Sequence, residues 1–330
     1  MKKNIIFILT VTASRQSIGF HHRIANDLKK LNRNIKPHFV PSHEIETYFK
    51  KHTELTPRNS IIHVRAAHPI SHWIEGLSEL QERKFRVINK TEVVQLTSNK
   101  TQCAVKLYDS PATHPESWYG YRGEKDWKRN FKEINGTGKN PKQQTIDLIL
   151  DLFASGKHDK LIVKPETSMN QGAYVKIIEK TTSRETVIDA LDTMGGDAVN
   201  LCVQEYVPYN AIHRVIVIDG KALPMTFQDR MTDERRARGD WKVSVCLNRK
   251  TMTFVSNPER ELLELAEITQ KVIGGEVSFI DIFETDTGYT ISEINTACSL
   301  KIHEKMAKLV NHPHWDISAA IASYLYKQMV

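Results

Sequence analysis

The segment VSFIDIFETDTGYTISEINTACSL, residues 277–300, carries two carboxylates and an amide at spacings that suit a hard cation. Apolar-rich runs flank Asp286, Thr287 and Gly288, and a three-residue connection with glycine in the left-handed position predicts a β-hairpin. In that register Asp281 stands opposite Glu293, and alternation along the strand puts Asn295 on their face. Such oxygen donors suit Mg²⁺ holding nucleotide phosphates, and two adjacent like charges are costly without a cation. The same residues also fit the solvent face of an ordinary hairpin with Phe279, Ile282, Ile291 and Ile294 as its core. The hairpin alone does not decide between these.

Earlier in the chain Lys164 ends the strand-like run LIVKPE, where an ammonium can meet a phosphate as a point charge or simply reach solvent. Ser168, Asn170, Gln171 and Gly172 follow, offering hydroxyl, amide and backbone donors that could cover phosphates, or forming a simple turn. The run VQEYV ends a strand with Gln204, Glu205, Tyr206 and Val207 before Pro208. Its free backbone groups and apolar side chains suit the edge and face of an adenine, though it also reads as a plain strand terminus. Arg214 opens HRVIVIDGKAL, a hairpin turning at Asp219 and Gly220, and the direction of its side chain stays open. In the basic segment from Arg230 to Lys242, Arg235, Arg236, Arg238 and Lys242 could hold an acidic substrate or form a solvated loop.

These groups need elements to position them. Residues 4–12 read as a strand, 19–31 as a helix with Phe20, Ile24, Leu28 and Leu31 at helical spacing, and KPHFV and SIIHVRA as two further strands. With a helix over 74–82 and a strand over 85–88, they predict a small parallel α/β lobe. It lacks GxGxxG, so a dinucleotide lobe is not indicated. Residues 119–140, with Tyr121 and Trp127 among many basic residues, read as a long insertion. An almost wholly apolar helix follows over 144–154, then a small α+β unit to about Tyr206. Strands at 214–218 and 222–228, a helix at 259–273, the acidic hairpin and a helix at 317–327 close the chain.

Composition narrows the function classes. The 330 residues are 40% hydrophobic and 26% charged, which suits folded lobes rather than a fibre or a disordered chain. Four scattered cysteines without a CxxC pair indicate neither zinc nor a disulfide framework and suggest a reducing cytoplasm. MKKNIIFILTVTA imitates a secretory signal, but its β-branched run is the right length for a buried first strand. No apolar run approaches the roughly 20 residues of a membrane span. The net charge of +7 suits a phosphate-rich or acidic ligand, while the scatter of the basic residues argues against a nucleic-acid partner.

The order of these pieces resembles the ATP-grasp superfamily, and within it the RimK-like and glutathione-synthetase-like ligases, from Val87 onward. VINKTEVVQLTSNKTQCAVKL is similar to the segment leading into the nucleotide lobe, with Lys100 as a phosphate contact. LIVKPE supplies Lys164, VQEYV resembles the adenine hinge with Glu205 and Val207, and HRVIVIDGKAL resembles the arginine-bearing hairpin. FIDIFETDTGYTISEIN resembles the magnesium hairpin carrying Asp281, Glu293 and Asn295, and HWDISAAIASYL resembles the final helix. Three departures stand out: Ile212 where an acidic residue is common, Thr296 to Ser299 in place of a proline- and glycine-containing run, and a glycine loop reduced to Gly172.

The resemblance implies an ATP-grasp fold of mixed α/β and α+β character. Its expected parts are an N-terminal parallel α/β domain over 1–90, a central lobe over 91–207 with the insertion near 119–140, and a C-terminal lobe over 208–330. It implies ATP and Mg²⁺ as cofactors and a carboxylate–amine ligase working through an acyl phosphate, on an amino acid, a peptide or a protein terminus. Arg214 and Lys164 are expected to act in catalysis, and Arg235, Arg238 and Lys242 to meet substrate. Two rivals stay open: an ATP-grasp kinase phosphorylating a small molecule, and a non-catalytic nucleotide- or nucleic-acid-binding protein. The oligomeric state is open as well.

Overall fold

The structure, a computed structural model, describes residues 3–9, 15–65, 73–119, 141–167, 175–194, 201–243, 251–298 and 300–330. The chain divides into two compact units, Met1–Ser98 with Tyr209–Val330, and Asn99–Pro208.

In the first unit, β1 (Lys3–Leu9), β2 (Ile35–Pro41), β3 (Ser60–Arg65) and β4 (Arg86–Ile88) form a parallel sheet in the order β2-β1-β3-β4. Ile5, Ile6, Phe7 and Ile8 are fully buried, because a parallel sheet with helices on its faces has no solvent side. The apolar N-terminal run is therefore a core strand. Helix α1 (Arg15–Leu31) starts four residues earlier than the spacing predicts, and it buries Phe20, Ile24 and Leu28 while Leu31 stays exposed. Helices α2 (Ile45–Lys51), α3 (Ile74–Glu82) and α4 (Thr91–Ser98) complete this part.

The same unit holds a five-stranded antiparallel sheet ordered β11-β10-β9-β12-β13. Its strands are β9 (Ala211–Ile218), β10 (Lys221–Arg230), β11 (Met252–Val255), β12 (Val277–Thr285) and β13 (Gly288–Asn295). Helix α9 (Arg260–Ile273) lies on this sheet through Leu262, Leu265, Ala266, Thr269, Gln270 and Ile273, the stripe of a helix with one apolar face. It stops at Gly274, whose φ of 75° is the left-handed conformation that glycine adopts without a Cβ penalty. Gln270 fastens the helix: Nε2 donates to the Val217 carbonyl at 2.9 Å, and Oε1 accepts from the Gly220 amide at 2.7 Å. Phe227, Phe279, Ile216 and Val277 join Phe7, Phe20 and the closing helices α10 (Lys301–Leu309) and α11 (Ile317–Lys327) in one core. Each such fully buried side chain contributes about 1.5–3 kcal/mol.

The second unit is built on a sheet ordered β5-β8-β6-β7, from β5 (Ser117–Tyr119), β6 (Lys160–Pro165), β7 (Lys176–Glu179) and β8 (Leu201–Glu205). Helices α6 (Pro141–Ala154) and α7 (Arg184–Asp192) cover it with Ile146, Ile149, Phe153, Val187 and Leu191, against Leu161, Val163 and Val203. Helix α5 (Lys100–Tyr108), capped by Asn99 accepting from the Gln102 amide, starts this unit. A short helix α8 (Asp233–Ala237) stands in the basic segment, capped by Thr232. Among the described residues no helix is long and apolar enough to cross a membrane.

Candidate functional site

The first cluster grows from three adjacent strands. β9 pairs with β12 so that Arg214 faces Asp281, and β12 pairs with β13 so that Asp281 faces Glu293. Cross-strand partners share a face, so a row of cation, carboxylate and carboxylate runs across the sheet. Arg214 donates from Nε to Asp281 Oδ1 at 2.8 Å and from Nη2 to Oδ2 at 2.7 Å. Both side chains are buried, at 4% and 7% exposed. Burial pushes the Asp281 carboxyl up, the Arg214 guanidinium opposes that, and the Glu293 carboxylate adds to it. Glu293 and Asn295 are half-buried, and Asn295 pairs with Phe279 two residues along.

The hairpin reaches this register by a different route from the one its sequence suggests. Thr285 pairs with Gly288, so the connection has two residues, Asp286 and Thr287, rather than three. A register shift between Asp281 and Ile282 then realigns the strands, with Ser292 as the extra residue of β13. Gly288, at φ 128°, takes the positive angle the tight turn needs, and Asn210 Nδ2 braces Asp286 at 2.7 Å.

These residues fit Mg²⁺. Arg214 engages each Asp281 oxygen once, and a carboxylate offers about four lone-pair sites, so these two bonds do not exhaust its capacity as an acceptor. Among the described residues no three His, Cys, Asp or Glu side chains are grouped to hold a metal by themselves. Two carboxylates and an amide oxygen are the partial donor set that Mg²⁺ completes with phosphate oxygens and water.

The second cluster lies in the other unit, on the sheet face opposite α6 and α7. Lys164 on β6 pairs with Cys202 on β8, and Gln204 shares that face two residues on. Lys164 is buried, and its Nζ donates to Gln204 Oε1 at 2.7 Å, while Gln204 Nε2 donates to Ser117 Oγ at 2.8 Å. Lys100, the first residue of α5, is half-buried and donates its backbone N–H to the Glu166 carbonyl at 2.8 Å. The Cys202 thiol, pushed up by burial, is drawn back by Lys164, by Thr101 and by Lys100, so both lysines lie near one thiol. His114 is pushed down to about 4 by burial and then by the Lys164 charge. The Glu166 carboxylate acts on the same thiol in the opposite sense, so the neighbourhood holds two ammonium groups and one carboxylate. Ammonium groups of this kind can meet phosphate as point charges.

Glu205, Tyr206 and Val207 follow at the end of β8, all half-buried. The Glu205 backbone N–H donates to the Glu116 carbonyl at 2.9 Å, and Lys160 Nζ lies 5.9 Å from the Tyr206 ring centroid. Gln171 and Gly172, with Ser168 and Asn170, lie outside the described residues, as does the insertion beyond Tyr119 with Tyr121 and Trp127.

The basic segment separates into two kinds of arginine. Arg235 is buried: its Nη1 donates to Asp229 Oδ1 at 3.0 Å and to the Arg230 carbonyl at 2.8 Å, and its Nη2 to Thr251 Oγ1 at 2.8 Å. Its donors are spent on folding the segment. Arg238 is exposed beside Asp240 at 3.0 Å, and Lys242 is exposed with Nζ 5.1 Å from the Trp241 ring centroid.

Sequence spacing singles out neither Cys202 nor Arg65. The alternation in LCVQE places Cys202 on the face of Gln204, a signal that becomes readable once β6 and β8 are known to pair. Arg65 ends β3, a strand whose residues are all buried, and an arginine closing such a run is itself a signal.

The model of the RimK-like ATP-grasp domain matches residues 139–319, more than half of the chain. Among solved structures, a D-alanine–D-alanine ligase from Bacillus anthracis superposes with a TM-score of 0.65 at 13% identity, over 99% of this chain and 100% of that one. The D-cycloserine synthetase DcsG gives 0.67 at 12% identity over 99% and 100% of the two chains. The ATP-grasp ligase PsnB, complexed with its minimal precursor, Mg and ADP, gives 0.60 at 13% over 98% of each. At these identities the likeness is one of fold. No curated protein matches the chain.

Proposed function

The chain belongs to the RimK-like ATP-grasp family, and from that premise we propose that it is an ATP- and Mg²⁺-dependent carboxylate–amine ligase of the cytoplasm, acting on an amino acid, a peptide or a protein terminus. Residues 1–90, 91–207 and 208–330 are assigned to its pre-ATP-grasp, small and large lobes. Solved ligases of this fold include complexes with ATP and with a precursor peptide and AMPPNP.

The observation that carries the reading is the register that sets Asp281 against Glu293 with Asn295 two residues on. These three hold Mg²⁺, and Arg214 keeps the Asp281 carboxylate fixed in its orientation while supplying a positive charge near the reacting phosphoryl. Lys164 and Lys100 neutralise phosphate oxygens, with Gln204 holding the Lys164 ammonium in place. Glu205, Tyr206 and Val207 take the adenine, and Gln171 and Gly172 are assigned to the phosphates. Arg238 and Lys242 contact the substrate, and Arg235 shapes the segment that carries them. When bound, Mg·ATP supplies the γ-phosphoryl group that activates the carboxylate as an acyl phosphate, from which an amine displaces phosphate.

The test is a screen of amino acids and short peptides for ADP release with Mg·ATP. A ligase needs a carboxylate and an amine together and releases one phosphate for each ADP. Stable phosphorylation of a single substrate would make the protein a kinase, and nucleotide binding without turnover on any pair would remove it from the enzymes.

A further inference from the structure

Arg65 closes β3 and is only 5% exposed, yet among the described residues no carboxylate forms an ion pair with it. Its Nε donates to His21 Nε2 at 3.4 Å and its Nη2 to the Cys298 backbone carbonyl. The Phe20 and Phe279 ring centroids each stand 5.3 Å from its Cζ. Nη1 is shielded from solvent, and among the described residues it has no hydrogen-bond partner. Burial pushes the guanidinium down to about 10, and the Cys298 thiol alone counters it.

A buried cation loses several kcal/mol of hydration. Two aromatic rings recover part of that through cation–π attraction, but an imidazole nitrogen and a carbonyl supply no counter-charge. A guanidinium also presents a planar fork whose donors match a carboxylate two at a time. Its place in the fold points the same way. Open parallel sheets bind ligands at the carboxyl ends of their strands. Arg65 is the last residue of β3, opposite Leu9, the last of β1. The carbonyl it holds belongs to Cys298, three residues after Asn295 of the acidic hairpin. His63, two residues back on the same strand face, donates from Nδ1 to the Ile88 carbonyl at 3.2 Å. Burial and then the Arg65 charge hold it neutral, so it does not compete as a second cation.

We propose that Arg65 is the receptor for a substrate carboxylate, which supplies the counter-charge to the guanidinium and pairs with its unsatisfied Nη1 edge. This rests on the ligase reading above and assigns Arg65 to one carboxylate of that reaction, either the acid to be activated or a free carboxylate on the incoming amino acid.

The experiment follows thermal unfolding of the full chain and its Arg65→Met and Arg65→Lys variants, titrated with N-acetylglycine, glycine and glycinamide, alongside Mg·ATP binding by calorimetry. The wild type is expected to gain stability saturably with N-acetylglycine if the activated acid binds here, or with glycine if the acceptor does, and with glycinamide in neither case. Arg65→Met loses the effect, and Arg65→Lys, which keeps the charge without the fork, weakens it about tenfold or more. An equal response in a folded Arg65→Met, an undiminished response in Arg65→Lys, or a wild type that responds to neither carboxylate overturns the assignment. Mg·ATP binding is expected to persist in both variants. Its absence from the wild type would sink the ligase reading while leaving the carboxylate titration to be judged alone.

Discussion

Arg214 and Asp281 face each other across β9 and β12 and are joined by two hydrogen bonds of 2.8 and 2.7 Å, with both side chains buried. The pair makes the candidate metal carboxylate a fixed object, because the guanidinium fork sets its plane. A carboxylate on an exposed strand would instead sample several rotamers and pay for ordering when the cation arrived.

Replacing Arg214 by Met therefore removes one partner of a buried pair and leaves Asp281 uncompensated. The expected loss of stability is about 3–5 kcal/mol, read as a fall in the urea midpoint at neutral pH. A midpoint within error of the wild type would mean that the pair contributes nothing to the fold.

Glu293 is half-buried, and glutamine preserves its shape. Glu293→Gln is expected to keep the circular dichroism spectrum and to lower ADP release by about a hundredfold or more, since the charge a metal site needs is worth several kcal/mol. Wild-type turnover in this variant would remove Glu293 from the metal site.

The hairpin shows both what was legible from sequence and what was not. Asp281 opposite Glu293 could be read because two short alternating runs around a turn admit few registers. The two-residue turn and the shift at Ser292 could not, since a bulge moves the register without changing the apolar pattern. The partner of Arg214 was illegible for another reason. Asp281 lies 67 positions away on a strand separated from β9 in the chain by β10 and β11. Helices α4, α5 and α10 were also missed: the first two begin inside polar runs, and Lys301–Leu309 has only a narrow apolar stripe. The strands of the parallel lobe were legible, because β1 and β3 are nearly continuous apolar runs set apart by a helix-spaced segment.

Asn89 illustrates a side chain whose importance is invisible in the sequence. It is fully buried, its Nδ2 donates to the Val277 carbonyl at 2.8 Å, and its Oδ1 accepts from the amides of Glu276 and Val277 at 2.7 and 3.1 Å. It thereby ties the chain after β4 to the start of β12, the strand that carries Asp281. Asn89→Ala orphans three backbone groups, and each unsatisfied buried group costs about 1–3 kcal/mol. Equilibrium denaturation is expected to show a loss of about 3 kcal/mol or more, and a loss below about 0.5 kcal/mol, the ordinary surface range, would contradict the tie.

His38 supplies a pH dependence that lies in the parallel lobe, away from the acidic hairpin. Its Nδ1 accepts from the Tyr48 hydroxyl at 2.6 Å, and its Nε2 donates to Asn4 Oδ1 at 3.2 Å, which uses both nitrogens of the neutral ring. Burial, with the Lys36 charge behind it, pushes its pKa down to about 4 from the ordinary 6.5. The folded state therefore binds this proton more weakly than the unfolded state does. The contribution of His38 is complete above pH 6.5 and is lost as the pH falls from there through 4, with a slope of up to about 1.4 kcal/mol per pH unit. A His38→Gln variant keeps a donor and an acceptor but cannot charge. Urea midpoints measured from pH 7.5 down to 4.5 should show wild type losing stability more steeply than the variant, with the difference concentrated below pH 6.5. Parallel pH profiles would mean that His38 binds its proton equally well folded and unfolded.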